Sequence, residues 1–209
     1  FVIISNDDML YDILARNFVA EGNMVVVSVD YRLAPENKFP AALMDTYSVL
    51  HWIFNTQNQY SQYFDTSKVI VAGDSAGSMI AMGVSMLARD RNELAGSIAA
   101  QVLLYPGTYY NQTTESFEKF GDDAYMLPQG KLTAQWFHEQ YFDHTTNHFR
   151  LADEDDTDAN IDLLQPSDPE TVNGYPVVTQ PYLNPWAADS LANLPFTHMI
   201  AAEFDPLRD

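Results

Sequence analysis

One short run of residues limits what this chain can fold into more than any other part of it. Residues 69–77 read V-I-V-A-G-D-S-A-G, in which four apolar residues lead into two glycines placed symmetrically around Ser75. The apolar residues predict a buried strand, and the spacing of apolar residues over 77–89 predicts a helix immediately after it. The chain must therefore pass from strand to helix within a very tight turn, which glycine permits because it has no Cβ atom.

The serine of this run is the first candidate for a catalytic residue. G-x-S-x-G between a strand and a helix is typical of a nucleophile elbow, a turn that holds the serine hydroxyl out above the sheet. Ser75 would be the nucleophile, and Gly73, Asp74 and Gly77 would build the turn, both glycines being needed because a Cβ would clash there. The N–H of Ala76, at the helix N-terminus, is expected to donate to a developing oxyanion. The alternative is a chance match in a glycine-rich loop, which the flanking strand and helix patterns disfavour.

Strand and helix patterns alternate along most of the chain. The sequence predicts strands at residues 24–29, 69–72, 98–104 and 197–202, and helices at residues 12–21, 41–54, 77–89 and 131–142. This alternation predicts an α/β fold with a mostly parallel sheet and helices on both faces. The alternation stops between residues 108 and 192, where polar, acidic and proline-rich stretches surround one helix. We interpret 108–192 as an inserted, cap-like segment covering the site, within a single domain that spans 1–209.

Composition excludes several classes of function. The net charge is −19, from 29 acidic and 10 basic residues, and such a field disfavours nucleic acids and anionic membranes as partners. No apolar run approaches the roughly 18 residues that a membrane span needs. The chain has no cysteine, which excludes disulfides, thiolate catalysis and cysteine-ligated metals. Its compartment is not fixed by these properties.

Four segments in order resemble the hormone-sensitive lipase-like carboxylesterases of the α/β-hydrolase superfamily, including the arylacetamide deacetylase branch. They read V-D-Y-R-L-A-P-E from residue 29, F-P-A-A from residue 39, G-D-S-A-G from residue 73 and E-F-D-P-L-R-D from residue 203. The resemblance implies an α/β-hydrolase fold and ester hydrolysis without a cofactor or a metal. By position it implies that Ser75 is the nucleophile, Asp205 the triad acid and the Ala76 N–H one oxyanion donor.

Two elements of that family are absent from the sequence. The family has an H-G-G-G string just before a segment like residues 1–3, and its glycine N–H groups supply further oxyanion donors. Its histidine base follows the acid, whereas no histidine follows Asp205 here. We therefore expect an internal piece of a longer protein, truncated at both ends, with the histidine of a Ser-His-Asp triad lying beyond residue 209. The 209 residues alone should then be close to inert.

The function that this resemblance implies is that of a serine carboxylesterase. Its substrates would be small-molecule esters with short or medium acyl chains, or aryl esters, and a homodimer is left open. One alternative is a non-catalytic small-molecule receptor of the gibberellin-receptor type, in which the base is replaced. Another is an amidase or peptidase of the same fold.

The remaining titratable residues have simpler interpretations. Glu203 lies two residues before Asp205 and would share its side of a strand, but the D-P-L-R-D string favours Asp205 as the acid. Asp74 is expected to fix the elbow by hydrogen bonding. His138, His144 and His148 lack the regular spacing of a metal site. The acidic run at 153–158 lacks the glycine and terminal glutamate of a calcium loop, which favours a solvated loop.

Overall fold

Five helices and seven strands are found in the described parts of the chain. The computed structural model describes residues 9–54, 59–63, 65–92, 98–107, 114–121, 130–141, 148–150, 162–164, 171–172, 175–176 and 181–209. The helices are α1 (Met9–Gly22), α2 (Ala41–Phe54), α3 (Ala76–Arg91), α4 (Glu115–Phe120) and α5 (Gly130–Tyr141). The strands are β1 (Val69–Asp74), β2 (Ile98–Leu104), β3 (His148–Arg150), β4 (Asp162–Leu164), β5 (Thr171–Val172), β6 (Tyr175–Pro176) and β7 (Phe196–Ile200). Single 3₁₀ turns occupy Ser61–Tyr63 and Pro185–Ala187.

A parallel sheet organises the molecule. It has the order β1-β2-β7, and β2 pairs in parallel with both neighbours. Beyond the strands, the Ser75 N–H donates to the Leu104 carbonyl at 2.9 Å, and the Tyr105 N–H donates to the Ile200 carbonyl at 2.6 Å. The segments that leave these three strands therefore lie side by side at one edge of the sheet. Parallel sheets carry their functional residues at this edge.

The core lies between this sheet and two helices. Helix α3 packs on β1 and β2, and α2 packs on α3. Helix α3 is buried on almost every side, which explains why its sequence is apolar or small all round. Burial of one large apolar side chain contributes about 1.5–3 kcal/mol. The larger buried side chains of this core include Leu43, Tyr47, Leu50, Ile80, Val84, Met86, Leu87, Ile98 and Leu103.

The opposite face of the sheet is open in the described part of the chain. Successive residues of a strand alternate between faces, so Ala100 and the buried Leu103, three residues apart in β2, lie on opposite faces of the sheet. The residues paired with Ala100 on the neighbouring strands share its face. Those partners, Ile70 and Phe196, are 54% and 74% exposed. Helices were expected on both faces, and α3 covers one of them here. Covering of the second face stays a prediction.

The strand predicted at residues 24–29 is wrong for this structure. These residues form no strand, and Met24 and Val25 are 46% and 57% exposed. A strand exists only where a neighbour takes its backbone hydrogen bonds, and β1 pairs on one side alone among the described strands. A β-branched sequence does not become a strand without that partner.

The other elements follow the sequence prediction more closely. Helix α2 and strand β2 have the predicted bounds, and the remaining predicted elements shift by one to three residues at an end. Helix α4 was not predicted. Its N-cap is Thr114, whose hydroxyl accepts from the Phe117 N–H, and Glu115 and Glu118 lie in its first turn. This capping pattern was available in the sequence.

The described parts of 108–192 contact both ends of α3. Near its start, Tyr141 of α5 is buried together with Met79, and the Tyr141 carbonyl accepts from the Phe39 N–H. Near its end, Arg89 donates to the Ser190 carbonyl at 2.8 Å. The segment therefore packs along the helix that follows the elbow, and its role as a cover over the site stays a prediction.

Candidate active site

Ser75 occupies the strand-to-helix turn that the sequence predicted. It directly follows β1 and directly precedes α3, with φ 48° and ψ −117°. A positive φ is uncommon for a residue other than glycine, and the side chain is exposed. The first N–H of α3 belongs to Ala76, and the first N–H groups of a helix have no acceptor within it. The turn thus presents a hydroxyl and a nearby N–H donor together.

The two glycines of the elbow have different roles. A Cβ at Gly73 would overlap the backbone of Gly77, so the strand and the helix can approach this closely only with glycine at 73. A Cβ at Gly77 would meet nothing within 4 Å. The expectation of a clash at both positions is therefore wrong for Gly77, because that position faces open space.

We expect Gly73→Ala and Gly77→Ala to differ sharply in stability. The Gly73 variant should lose about 2–3 kcal/mol of unfolding free energy, because backbone must move to admit the methyl group. The Gly77 variant should change by less than about 1 kcal/mol, since alanine is the better helix former. Urea denaturation of both variants beside the parent chain measures the difference, and equal losses would contradict this interpretation of the elbow.

Ser78 fixes the elbow from beneath, and the sequence analysis missed it. Its side chain is fully buried, and its Oγ lies 2.7 Å from both the Gly73 and the Leu104 carbonyl oxygens. One hydroxyl proton is therefore shared between the ends of two adjacent strands. A serine in the first turn of an otherwise apolar helix was the available signal, because a buried hydroxyl must find an acceptor.

Ser78→Ala should lower the free energy of unfolding by about 1–3 kcal/mol, because one substitution removes the contacts of a buried hydroxyl with two carbonyl oxygens, those of Gly73 and Leu104. The matched control is Ser85→Ala in the same helix, where the hydroxyl makes one hydrogen bond within the described ranges, to the Ala81 carbonyl at 3.0 Å. Loss of the Ser85 hydroxyl removes one such contact and not two, so it should cost less. Chemical denaturation of the two variants tests this order, and a costlier Ser85→Ala would refute it.

Asp74 links the elbow to two tyrosines. Its Oδ2 accepts from the Tyr11 hydroxyl at 3.1 Å and from the Tyr105 hydroxyl at 3.4 Å. Burial, followed by the charge of Asp74, raises the pKa of Tyr11 to about 12 and also raises the pKa of Tyr105. Both hydroxyls therefore remain protonated donors at neutral pH. These tyrosines, from α1 and from the end of β2, were not predicted as site residues.

Asp205 lies at the same edge of the sheet. It is half-buried in the turn after β7, and its Oδ1 accepts from the Leu207 N–H at 2.8 Å. Burial is the first cause of the raised pKa of Tyr105, and the carboxylates of Asp74 and Asp205 both add to it. The Tyr105 hydroxyl therefore lies close enough to interact electrostatically with both Asp74, which precedes Ser75, and Asp205, the predicted acid.

The base is not found among the described residues. Neither Ser75 nor Asp205 has a histidine hydrogen-bonded to it there. His51 on α2 and His198 on β7 are both exposed. His144 and the acidic run at 153–158 lie outside the described residues.

Metal sites and membrane spans were searched over the same described ranges. They contain no group of three or more histidine, aspartate or glutamate side chains that would hold a metal ion. No described helix combines the length and the apolar character needed to cross a membrane.

Comparison with known proteins identifies the family. A family described as alpha/beta hydrolase fold matches residues 1–167, and the chain belongs to this family. The chain is 34% identical over 203 residues to the carboxylic ester hydrolase LipN of Mycobacterium tuberculosis, covering 95% of this chain and 45% of LipN. It is 26% identical over 231 residues to arylacetamide deacetylase of Bos taurus, covering 98% of this chain and 57% of that protein.

A solved structure agrees with these relatives. EstE1, a thermophilic and thermostable carboxylesterase cloned from a metagenomic library, matches with a TM-score of 0.74 at 32% identity, covering 100% of this chain and 58% of EstE1. The predicted α/β-hydrolase fold and the resemblance to hormone-sensitive lipase-like esterases are confirmed. The chain spans about half the length of the proteins it matches.

Proposed function

We propose that the full-length protein is a serine carboxylesterase. The observation that carries this proposal is the exposed Ser75 at positive φ between β1 and α3, in a chain whose relatives are named as ester hydrolases. A serine hydroxyl is a weak nucleophile until a base takes its proton, and the base in turn needs a carboxylate to orient it. Asp205 is the carboxylate that we assign to this role.

The proposed reaction proceeds in two halves. The Ser75 oxygen attacks the ester carbonyl while a histidine, which we place beyond residue 209 in the full-length protein, takes its proton. Asp205 stabilises the imidazolium, and the Ala76 N–H donates to the tetrahedral oxyanion. The histidine then protonates the leaving alcohol, and water attacks the acyl-enzyme to release the acid. We assign short or medium acyl chains and aryl esters as substrates, by analogy with the relatives.

We also propose that 108–192 forms one wall of this site. The support comes from two of its helices. Tyr141 of α5 is buried beside Met79, four residues after the nucleophile, and α4 contacts the segment that carries Asp205. An apolar wall at this place would exclude water from the acyl group during attack.

The test compares two substrates that differ in leaving group. The full-length protein should hydrolyse p-nitrophenyl acetate and butyrate, should act on p-nitroacetanilide at least about 10²-fold more slowly, and should be labelled by a fluorophosphonate at Ser75. Comparable rates on the anilide would identify an amidase instead. Tight binding of a small ligand without turnover or labelling would identify a receptor and refute the proposal.

A further inference from the structure

The segment that follows β7 is held at its far end by α4. The Ser116 N–H donates to Asp209 Oδ2 at 2.8 Å, and the Ser116 hydroxyl donates to the Pro206 carbonyl at 2.9 Å. The Asp209 N–H donates back to Ser116 Oγ at 3.2 Å. Ser116 is 1% exposed and its bond to Pro206 is buried, whereas Asp209 itself is exposed. Residues 206–209 are therefore bound to α4 through one residue of that helix, Ser116, which uses both its hydroxyl and its backbone N–H.

Two more contacts support this junction. The rings of Phe120 and Phe204 meet edge to face with centroids 5.7 Å apart. Arg208 bonds to the Asp209 carboxylate at 2.8 Å, and Arg208 together with the Ser116 N–H holds the pKa of Asp209 below its usual value. The carboxylate that accepts from Ser116 is thus ionised at neutral pH, and charge-assisted hydrogen bonds are the stronger kind.

Asp205 lies between β7 and this junction. Its N–H donates to the Ala202 carbonyl at 3.3 Å, and its carbonyl accepts from the Arg208 N–H at 3.1 Å. The Leu207 N–H donates to its Oδ1 at 2.8 Å. Two of these three bonds come from residues between Pro206 and Asp209, so the direction of the carboxylate depends on where that segment is held.

We propose that Ser116 is a positioning residue for the triad acid: by binding residues 206–209 to α4, it directs the Asp205 carboxylate toward the base. This inference rests on the proposed function, in which Asp205 is the acid. It gives α4, which lies inside 108–192, a part in catalysis that is separate from covering the substrate.

Ser116→Ala in the full-length esterase tests the inference. We expect kcat to fall about 10–10²-fold with KM little changed, because a small misplacement of a catalytic group has effects of that size. We also expect the acid limb of the kcat/KM profile to move to lower pH, because a displaced carboxylate stabilises the imidazolium less and lowers the pKa of the base. Asp209→Ala removes the carboxylate that accepts from the Ser116 N–H, and Asp209 is exposed, so no buried group is lost. This variant should also lower kcat and move the acid limb to lower pH.

A control and a double variant separate positioning from general destabilisation. Ser85→Ala removes another buried hydroxyl, which is bonded to the Ala81 carbonyl, and should leave kcat and the acid limb unchanged. With Asp205→Asn already present, Ser116→Ala should cost less than about 2-fold, since residues that act as a unit are not additive.

The outcomes are distinguishable. Unchanged kcat and acid limb in both Ser116→Ala and Asp209→Ala, with Asp205→Asn inactive, overturn the positioning role and leave the esterase assignment standing. A full Ser116→Ala effect in the Asp205→Asn background also overturns it, because Ser116 would then act through another group. Wild-type activity in Asp205→Asn overturns the acid assignment and this inference together. Should Ser116→Ala fail to fold, Asp209→Ala decides the question.

Discussion

Ser75→Ala should reduce kcat for p-nitrophenyl acetate by about 10⁴–10⁶-fold in the full-length protein, because loss of the nucleophile removes covalent catalysis altogether. The backbone of the turn should survive, since its hydrogen bonds to Leu104 and Ser78 use main-chain atoms of residue 75. Steady-state kinetics give the first quantity, and the urea midpoint gives the second. Fluorophosphonate labelling should disappear in the same variant.

The matched control for this variant is Ser48→Ala. Ser48 is also exposed, and among the described residues its hydroxyl makes one hydrogen bond, to the Met44 carbonyl within α2. Its loss should change neither activity nor labelling. Turnover within about tenfold of wild type in Ser75→Ala, with labelling retained, would remove the nucleophile from this position and with it the proposed mechanism.

The elbow could be predicted because its signal is local. A strand, a glycine-flanked serine and a helix follow one another within residues 69–91, and the close approach that requires glycine at 73 is to Gly77, four residues along the chain. The same reason explains the correct bounds of α2, whose apolar residues Leu43, Tyr47 and Leu50 recur at helical spacing, and of β2, which is a short and mostly apolar run.

The errors arise where partners are distant in sequence. Residues 24–29 have the composition of a strand, but pairing depends on another strand, which no local pattern specifies. Gly77 looks equivalent to Gly73 in the motif, and only the packing distinguishes them. Tyr11 reaches Asp74 across 63 positions of sequence, and Ser116 reaches Asp209 across 93. Such contacts require the folded chain.

Asp205→Asn should lower kcat by about 10⁴-fold while the fold is retained. In the wild-type chain the Leu207 N–H donates to Asp205 Oδ1 at 2.8 Å. The side-chain oxygen of asparagine can accept the same hydrogen bond, so the turn after β7 should keep its conformation. What is lost is the negative charge that stabilises the imidazolium and selects its tautomer. The loss should therefore appear in kcat and in the acid limb of the pH profile, with little change in KM.

Glu203→Gln is the control that makes this result specific. Glu203 precedes Asp205 by two residues and is exposed, and its carbonyl, which accepts from Arg208 at 3.0 Å, is untouched by the change. If Asp205 is the acid, Glu203→Gln should stay within about 2-fold of wild-type kcat, as expected for a surface charge. An inactive Glu203→Gln beside an active Asp205→Asn would transfer the role to Glu203, since both carboxylates leave β7 at the same edge of the sheet and only the reaction itself discriminates between them.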